Sequence, residues 1–225
     1  MGYILDNPDI VWTLLWQHMQ MTGLTLLIAV SIALPIALVI TRYRWLTVPV
    51  MGCLGILYTI PSLALIILLV PWLGLNARSV IAAMIVYSQV ILVRHIAVGL
   101  QSIKPSILEA AKGMGMDAWQ RWWRVQVPLM LPVFLAGLRL SAIVAIAIAT
   151  IGAKFGAGGL GSLLFDGIAQ AGRYDKIWAG SLAVALLALL INVAFLGLEW
   201  AAKPGRQGWR RWGGTDPWQH SLDPH

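Results

Sequence analysis

Charge is scarce in this chain. Asp, Glu, Lys and Arg make up 11% of its 225 residues, while hydrophobic residues make up 59% and the mean hydropathy is +0.78. Soluble domains carry about 25% charged residues. A chain this poor in charge has too little polar surface to face water all round, so much of its exterior must face lipid. Cysteine is almost missing as well. The single Cys53 excludes an intramolecular disulfide and a cysteine-based metal site, and its place inside an apolar run reads as a small buried residue. The four histidines, His18, His95, His220 and His225, do not pair at ligand spacing, so no metal site is expected. None of the five lysines is followed by Ser or Thr, which excludes a P-loop.

What the chain does have is long uncharged runs. A membrane-spanning helix needs about 20 mostly apolar residues. Five runs qualify: 21–41, 48–69, 79–100, 133–151 and 177–199. The fold class expected is therefore an all-α integral membrane protein with five transmembrane helices. Pro35 falls in the first run, and Gly52, Gly55 and Pro61 in the second, where a kink is expected.

The net charge of +7 and pI near 10.0 do not point to nucleic acid, because the cations sit in short clusters between the spans. With the N-terminus outside, the inner segments hold Arg42, Arg44, Lys104, Lys112, Arg121, Arg124, Lys203, Arg206, Arg210 and Arg211. The outer segments hold only Arg78, Lys154, Arg173 and Lys176. That bias predicts an N-out, C-in orientation. Arg94 and Arg139 lie near the inner ends of the third and fourth spans, where arginine snorkels or makes a pair inside the bundle. Residues 1–202 are expected to form the transmembrane domain and 203–225 a cytoplasmic tail rich in Gly, Pro, Trp and Arg.

The segment 101–132 is too polar to span and too long for a turn. Ser106 with Glu109, and Asp117 with Gln120, each match a capping box. The pattern predicts a cytoplasmic helical hairpin, with helices near 107–114 and 118–127 and a turn at Gly115. Trp119, Trp122 and Trp123 among Arg121 and Arg124 suit a membrane surface.

Within this hairpin the sequence reads Glu109-Ala110-Ala111, three residues, Gly115, nine residues, Val125, one residue, Val127-Pro128. It resembles the "EAA" signature of the membrane subunits of ABC importers, with Val127 where Leu is usual. Further segments resemble the osmoprotectant branch of that family. They are Thr59-Ile60-Pro61-Ser62-Leu63-Ala64-Leu65, Val93-Arg94-His95 (with His where Asn is usual), Ala149-Thr150-Ile151-Gly152-Ala153, and the run from Gly156 to Gly161.

The resemblance implies a permease for glycine betaine, carnitine or choline; the methionine importer branch shares the five-helix core. It implies that Glu109, Ala110, Ala111, Gly115, Val125 and Pro128 form a coupling hairpin that docks a separate ABC ATPase, which would hold the ATP and Mg, with no cofactor in this chain. It also implies a substrate-binding protein and a second permease copy as partners, and residence in the cell's inner membrane. A quaternary ammonium is drawn to aromatic faces. Tyr58, Pro61, Ser62, Tyr87 and Thr150 are candidates for the pathway.

Two other classes fit less well. An ion-coupled secondary transporter would use acidic residues within spans, and the spans hold only Glu199, at the end of the fifth. A membrane-embedded enzyme would need clustered His, Asp, Glu or Cys at one face. The run Gly156-x-Gly158-x-x-Gly161 matches a dinucleotide fingerprint, but that motif works only between a strand and a helix. A flexible turn at the outer mouth is expected there.

Overall fold

A computed structural model of the chain describes residues 2–170 and 173–203. The expected tail lies, apart from Lys203, outside the described residues. Every regular element among them is helical. In chain order they are α1 (Gly2–Asp6), α2 (Pro8–Arg42), α3 (Thr47–Thr59), α4 (Ser62–Leu73), α5 (Ala77–Gln101), α6 (Pro105–Gly113), α7 (Ala118–Arg121), α8 (Val127–Gly152), α9 (Gly161–Ala169) and α10 (Tyr174–Ala202).

Four uninterrupted helices are long and apolar enough to cross a membrane: Pro8–Arg42, Ala77–Gln101, Ala118–Phe155 and Tyr174–Ala202. The second expected span is broken. Its halves, Arg44–Thr59 and Ser62–Leu73, meet at 94° around Ile60 and Pro61. The chain thus has four or five spans, depending on whether the bent pair crosses the membrane or returns. Pro61 cannot donate a backbone hydrogen bond and pushes Ile60 out of the helical region, to φ −66° and ψ 126°.

The bundle is organised around α5, which packs against α2, α3, α4 and α8. Close approach comes from small residues. Ala29, Ala33 and Ala37, four apart on one face of α2, have no exposed surface and meet Leu92, Val93, Ile96 and Ala97 of α5. Between hydrocarbon-facing helices no hydrophobic force drives association, so such contact rests on van der Waals packing. The α5–α8 seam is as tight. A Cβ on Gly137 would lie 2.6 Å from the His95 Cβ, and one on Gly152 would lie 2.4 Å from a Val80 methyl carbon. His95, the departure from the family pattern, is accommodated because Gly137 leaves room for its ring; its Nδ1 lies 2.8 Å from the Ile91 carbonyl oxygen.

Several expectations need correction. The first span begins thirteen residues earlier than hydropathy suggests, because the aromatic and polar stretch 8–20 continues the same helix. Cys53 is exposed on α3, a helix with no buried residue, so an apolar run there does not mean burial within the subunit. The second hairpin helix is not a separate element ending near 127. It runs through a π-helical turn, Trp122–Gln126, straight into α8, and neither Pro128 nor Pro132 ends it. The loop between the fourth and fifth expected spans also holds a helix, α9, which its glycine content concealed.

Arg139 forms the bundle-internal pair. Its Nε lies 2.6 Å from Glu199 Oε1 and its Nη1 donates to Asn192 Oδ1 at 3.1 Å, joining α8 to α10. Arg94, in contrast, is exposed on α5.

Candidate functional site: an exposed helical hairpin and a broken span

The hairpin is held by backbone chemistry rather than by burial. Gly115 follows α6 with φ +80°. Its N–H donates to the Lys112 carbonyl at 3.0 Å, and the Met116 N–H donates to the Ala111 carbonyl at 3.2 Å. These two bonds are a Schellman cap, which requires a left-handed residue and so favours glycine. The chain then restarts at once. Asp117 Oδ1 accepts from the Gln120 N–H at 2.7 Å, and Gln120 Oε1 accepts from the Asp117 N–H at 3.2 Å. Arg121 Nη1 donates across the turn to the Met116 carbonyl at 2.7 Å. The second expected capping box is therefore present.

The first is not. The N-cap of α6 is Lys104, with Pro105 in the first turn and no side-chain cap. Proline is pre-set for that position, which moves the helix start ahead of Ser106. Glu109 is consequently not used in capping. It is exposed, as is Ala110, and among the described residues it makes no hydrogen bond or ion pair within the chain. Ala111 is buried. Ile107 on this short helix and Met114 just past its end are exposed, and Trp119 and Trp123 are exposed and meet edge to face with centroids 5.6 Å apart. The hairpin thus offers a carboxylate beside apolar surface, which suits a partner groove.

The far end of the motif sits where the hairpin joins the bundle. Val125 lies half-buried in the π-helical turn, in which the Val127 N–H reaches the Trp122 carbonyl. Pro128 follows directly and is exposed. Trp122 packs against the α2–α5 core. From Ala118 to Phe155 the helix spans 38 residues, about 57 Å at 1.5 Å per residue, against a hydrocarbon core of about 30 Å. One end must protrude, and the second hairpin helix is continuous with α8 in the bundle. The π turn was not legible in the sequence; the proline in Val127-Pro128 was its nearest signal.

The pathway candidates fall in two places. Tyr58, Pro61, Ser62 and Tyr87 meet at the broken span. The Tyr58 and Tyr87 rings lie 5.2 Å apart at 52°. The Tyr87 hydroxyl donates to the Ile60 carbonyl, the group left open where the helix breaks. Tyr87 is buried and Tyr58 exposed. Thr150 is not brought to this pair. Its hydroxyl donates to the Ile146 carbonyl at 2.8 Å, and its backbone lies against Gly161 at the start of α9.

The glycine run before α9 is a turn with positive φ at Gly156, Gly158 and Gly159, and no strand precedes it. It is held by Gln17 of α2, whose Oε1 accepts from the Gly159 N–H at 3.0 Å. Sequence reasoning missed this tether. Nothing local distinguishes Gln17 from any other polar residue of its helix.

Known proteins agree with this architecture. The family model described as "Binding-protein-dependent transport system inner membrane component" matches residues 26–201. The osmoprotectant import permease protein OsmW of Salmonella typhimurium is 36% identical over 84% of this chain and 90% of its own length. The glycine betaine/carnitine/choline transport system permease protein OpuCD of Bacillus subtilis is 34% identical over 90% of this chain and 88% of its own. Among solved structures, an inward-facing form of the MetNI methionine ABC transporter superposes with TM-score 0.77 at 20% identity, covering 86% of this chain and 96% of that one. By the length and identity of these matches, the chain belongs to the family of inner-membrane permease components of binding-protein-dependent transport systems.

Proposed function

We propose that this chain is the permease of an ATP-driven importer for a small osmoprotectant of the glycine betaine, carnitine or choline type. The observation that carries the reading is the hairpin. Its Glu109 is left uncapped and outward, and its turn is rigidly scaffolded on a helix continuous with the bundle. The substrate class follows the curated relatives, which are named as permeases for osmoprotectants, carnitine and choline. The likeness to the methionine transporter is one of fold.

In this reading Glu109, Ala110, Ala111 and Gly115 seat in a groove of a separate ATPase. Closure of two ATPases on ATP and Mg draws two hairpins together, and Val125 and Pro128 pass the movement to α8. The α3–α4 pair counts as one broken span, giving five with the N-terminus outside, as the basic residues favour. A binding protein delivers substrate at the outer face to a pathway between two permease copies. The break at Pro61 lines it, where the Tyr58 ring offers a face to a quaternary ammonium.

Reconstitution tests this. Proteoliposomes carrying the chain with its ATPase and binding protein should accumulate labelled glycine betaine, carnitine or choline only when ATP is supplied. Uptake without the ATPase would overturn the reading in favour of a secondary transporter. ATP-dependent uptake of methionine alone would overturn the substrate class.

A further inference from the structure

Two neighbouring side chains of α2 meet the glycine turn in opposite ways. The turn is fixed at both ends. At one end the Gly156 N–H donates to the Ala153 carbonyl at 3.2 Å. At the other, Leu160 is fully buried beside Ile146 and Leu187. Between them Gly156, Gly158 and Gly159 hold φ of 75°, 76° and 80°, a region that glycine enters at no steric cost. Among the described residues, one hydrogen bond ties this stretch to α2, from the Gly159 N–H to Gln17 Oε1 at 3.0 Å. Gln17 itself is exposed.

His18, the next residue, works against that tie. Its ring lies against Gly159, where an added Cβ would stand 3.1 Å from Nδ1, and it has no exposed surface. Neither ring nitrogen makes a hydrogen bond. The Ile146 carbonyl of α8 is near the ring but outside hydrogen-bonding geometry, and it serves the Thr150 hydroxyl at 2.8 Å. One and two turns further along the same face of α2, Thr22 and Thr25 are buried with their hydroxyls unpaired. Elsewhere on this helix Thr13, Ser31 and Thr41 each donate to the carbonyl four residues back. His18, Thr22 and Thr25 thus form a file of polar groups without partners, with the glycine turn at its His18 end. A buried polar group left unpaired favours any state that hydrates it.

We propose that residues 156–159 are a gate flap, latched on α2 by Gln17 and loaded to open by the polar file behind it. Release of the latch exchanges one donor for another, because the Gln17 carboxamide is already at the surface and water replaces the Gly159 N–H. Opening also brings water to His18. The flap's place suits a gate. α8 runs 26 residues from the hairpin to this turn, about 39 Å at 1.5 Å per residue, against a hydrocarbon core of about 30 Å. The flap therefore stands at the end of the bundle away from the hairpin. That its opening admits a transported solute rests on the importer reading above; the latch and its load do not.

The test uses the full-length chain carrying Cys53→Ser and Ala157→Cys, reconstituted in lipid nanodiscs without its partners. Ala157 is half-buried in the flap, so the rate at which a small hydrophilic methanethiosulfonate modifies the new thiol reads opening. Gln17→Leu should raise that rate about fivefold. His18→Leu, close in size but with no polar atom, should lower it about fivefold and raise the melting temperature in detergent. A general loosening of α2 would move both rates upward. Rates that shift in the same direction or stay unchanged would overturn the proposal, as would a lowered melting temperature for His18→Leu. In the importer assembled with its ATPase and binding protein, His18→Leu should lower ATP-driven uptake several-fold. Unchanged uptake alongside shifted labelling would overturn the gating role. No ATP-driven uptake by the unaltered chain would overturn the importer reading instead, with the labelling rates still deciding the latch.

Discussion

An alanine at Gly115 would have to hold φ near +80°, a region that costs an L-residue roughly 1–2 kcal/mol. No neighbour would obstruct its Cβ, so the cost is conformational and not steric. Gly113, two residues earlier, is the matched control: it lies within α6 and its added Cβ also meets nothing. Gly115→Ala is expected to lower ATP-driven uptake several-fold with normal membrane insertion, while Gly113→Ala leaves uptake unchanged. Equal effects would show that the turn itself does not matter. Packing sets a different demand at Gly152. Its Cβ would lie 2.4 Å and 2.9 Å from the Val80 methyl carbons but 3.2 Å from the Val80 Cβ. Gly152→Ala is expected to destabilise by about 1–3 kcal/mol as overpacking, read as a lowered melting temperature in detergent. Adding Val80→Ala should recover part of that loss, a coupling that independent sites would not show.

Among the elements, the ion pair between α8 and α10 offers the next test. Arg139 and Glu199 keep 29% and 14% of their side-chain surface, so the pair is partly screened. Removing one partner leaves the other charge in a poor environment, and removing both does not. Arg139→Leu or Glu199→Leu alone should lower thermal stability in detergent, and the double change should lower it less than either. An additive result would place the pair in solvent. The spans themselves were legible because hydropathy over about 20 residues measures the same lipid contact that orders them. Gly115 and the Asp117–Gln120 cap were legible because both are local backbone chemistry. The 94° break was only half legible. Pro61 announces an interruption, but the Ile60 carbonyl at the break is bound by Tyr87, 27 residues further along the chain, which no local pattern signals. Continuity from α7 into α8 was hidden for the opposite reason. Proline reads as a stop, yet Pro128 sits in the first turn of α8, where a missing N–H is tolerated, directly after a π turn that keeps the helix continuous. The Ser106–Glu109 cap failed as an expectation because Pro105 claims the helix start first.

For the whole molecule, one geometric question decides how many sides the chain visits. If α3 and α4 together cross the bilayer, the segment at Arg42–Trp45 and the hairpin at Pro105–Gly113 lie on the same face. If the 94° bend returns the chain to its starting face, they lie on opposite faces. The basic residues favour the first arrangement, since Arg42 and Arg44 would then share a side with Lys104, Lys112, Arg121 and Arg124. Trp45 is 74% exposed and Ala110 is exposed on the hairpin, so a thiol at either position is open to a reagent. The chain's single native thiol, Cys53, can be replaced by serine to give a silent background. In sealed vesicles of one orientation, Trp45→Cys and Ala110→Cys should react with a membrane-impermeant maleimide from the same side, and Ala157→Cys in the glycine loop from the other. Reaction of positions 45 and 110 from opposite sides would make the broken pair a re-entrant loop. The hairpin would then stand away from any ATPase that shares a compartment with Arg42 and Arg44, and the coupling role of Glu109 would fall with it.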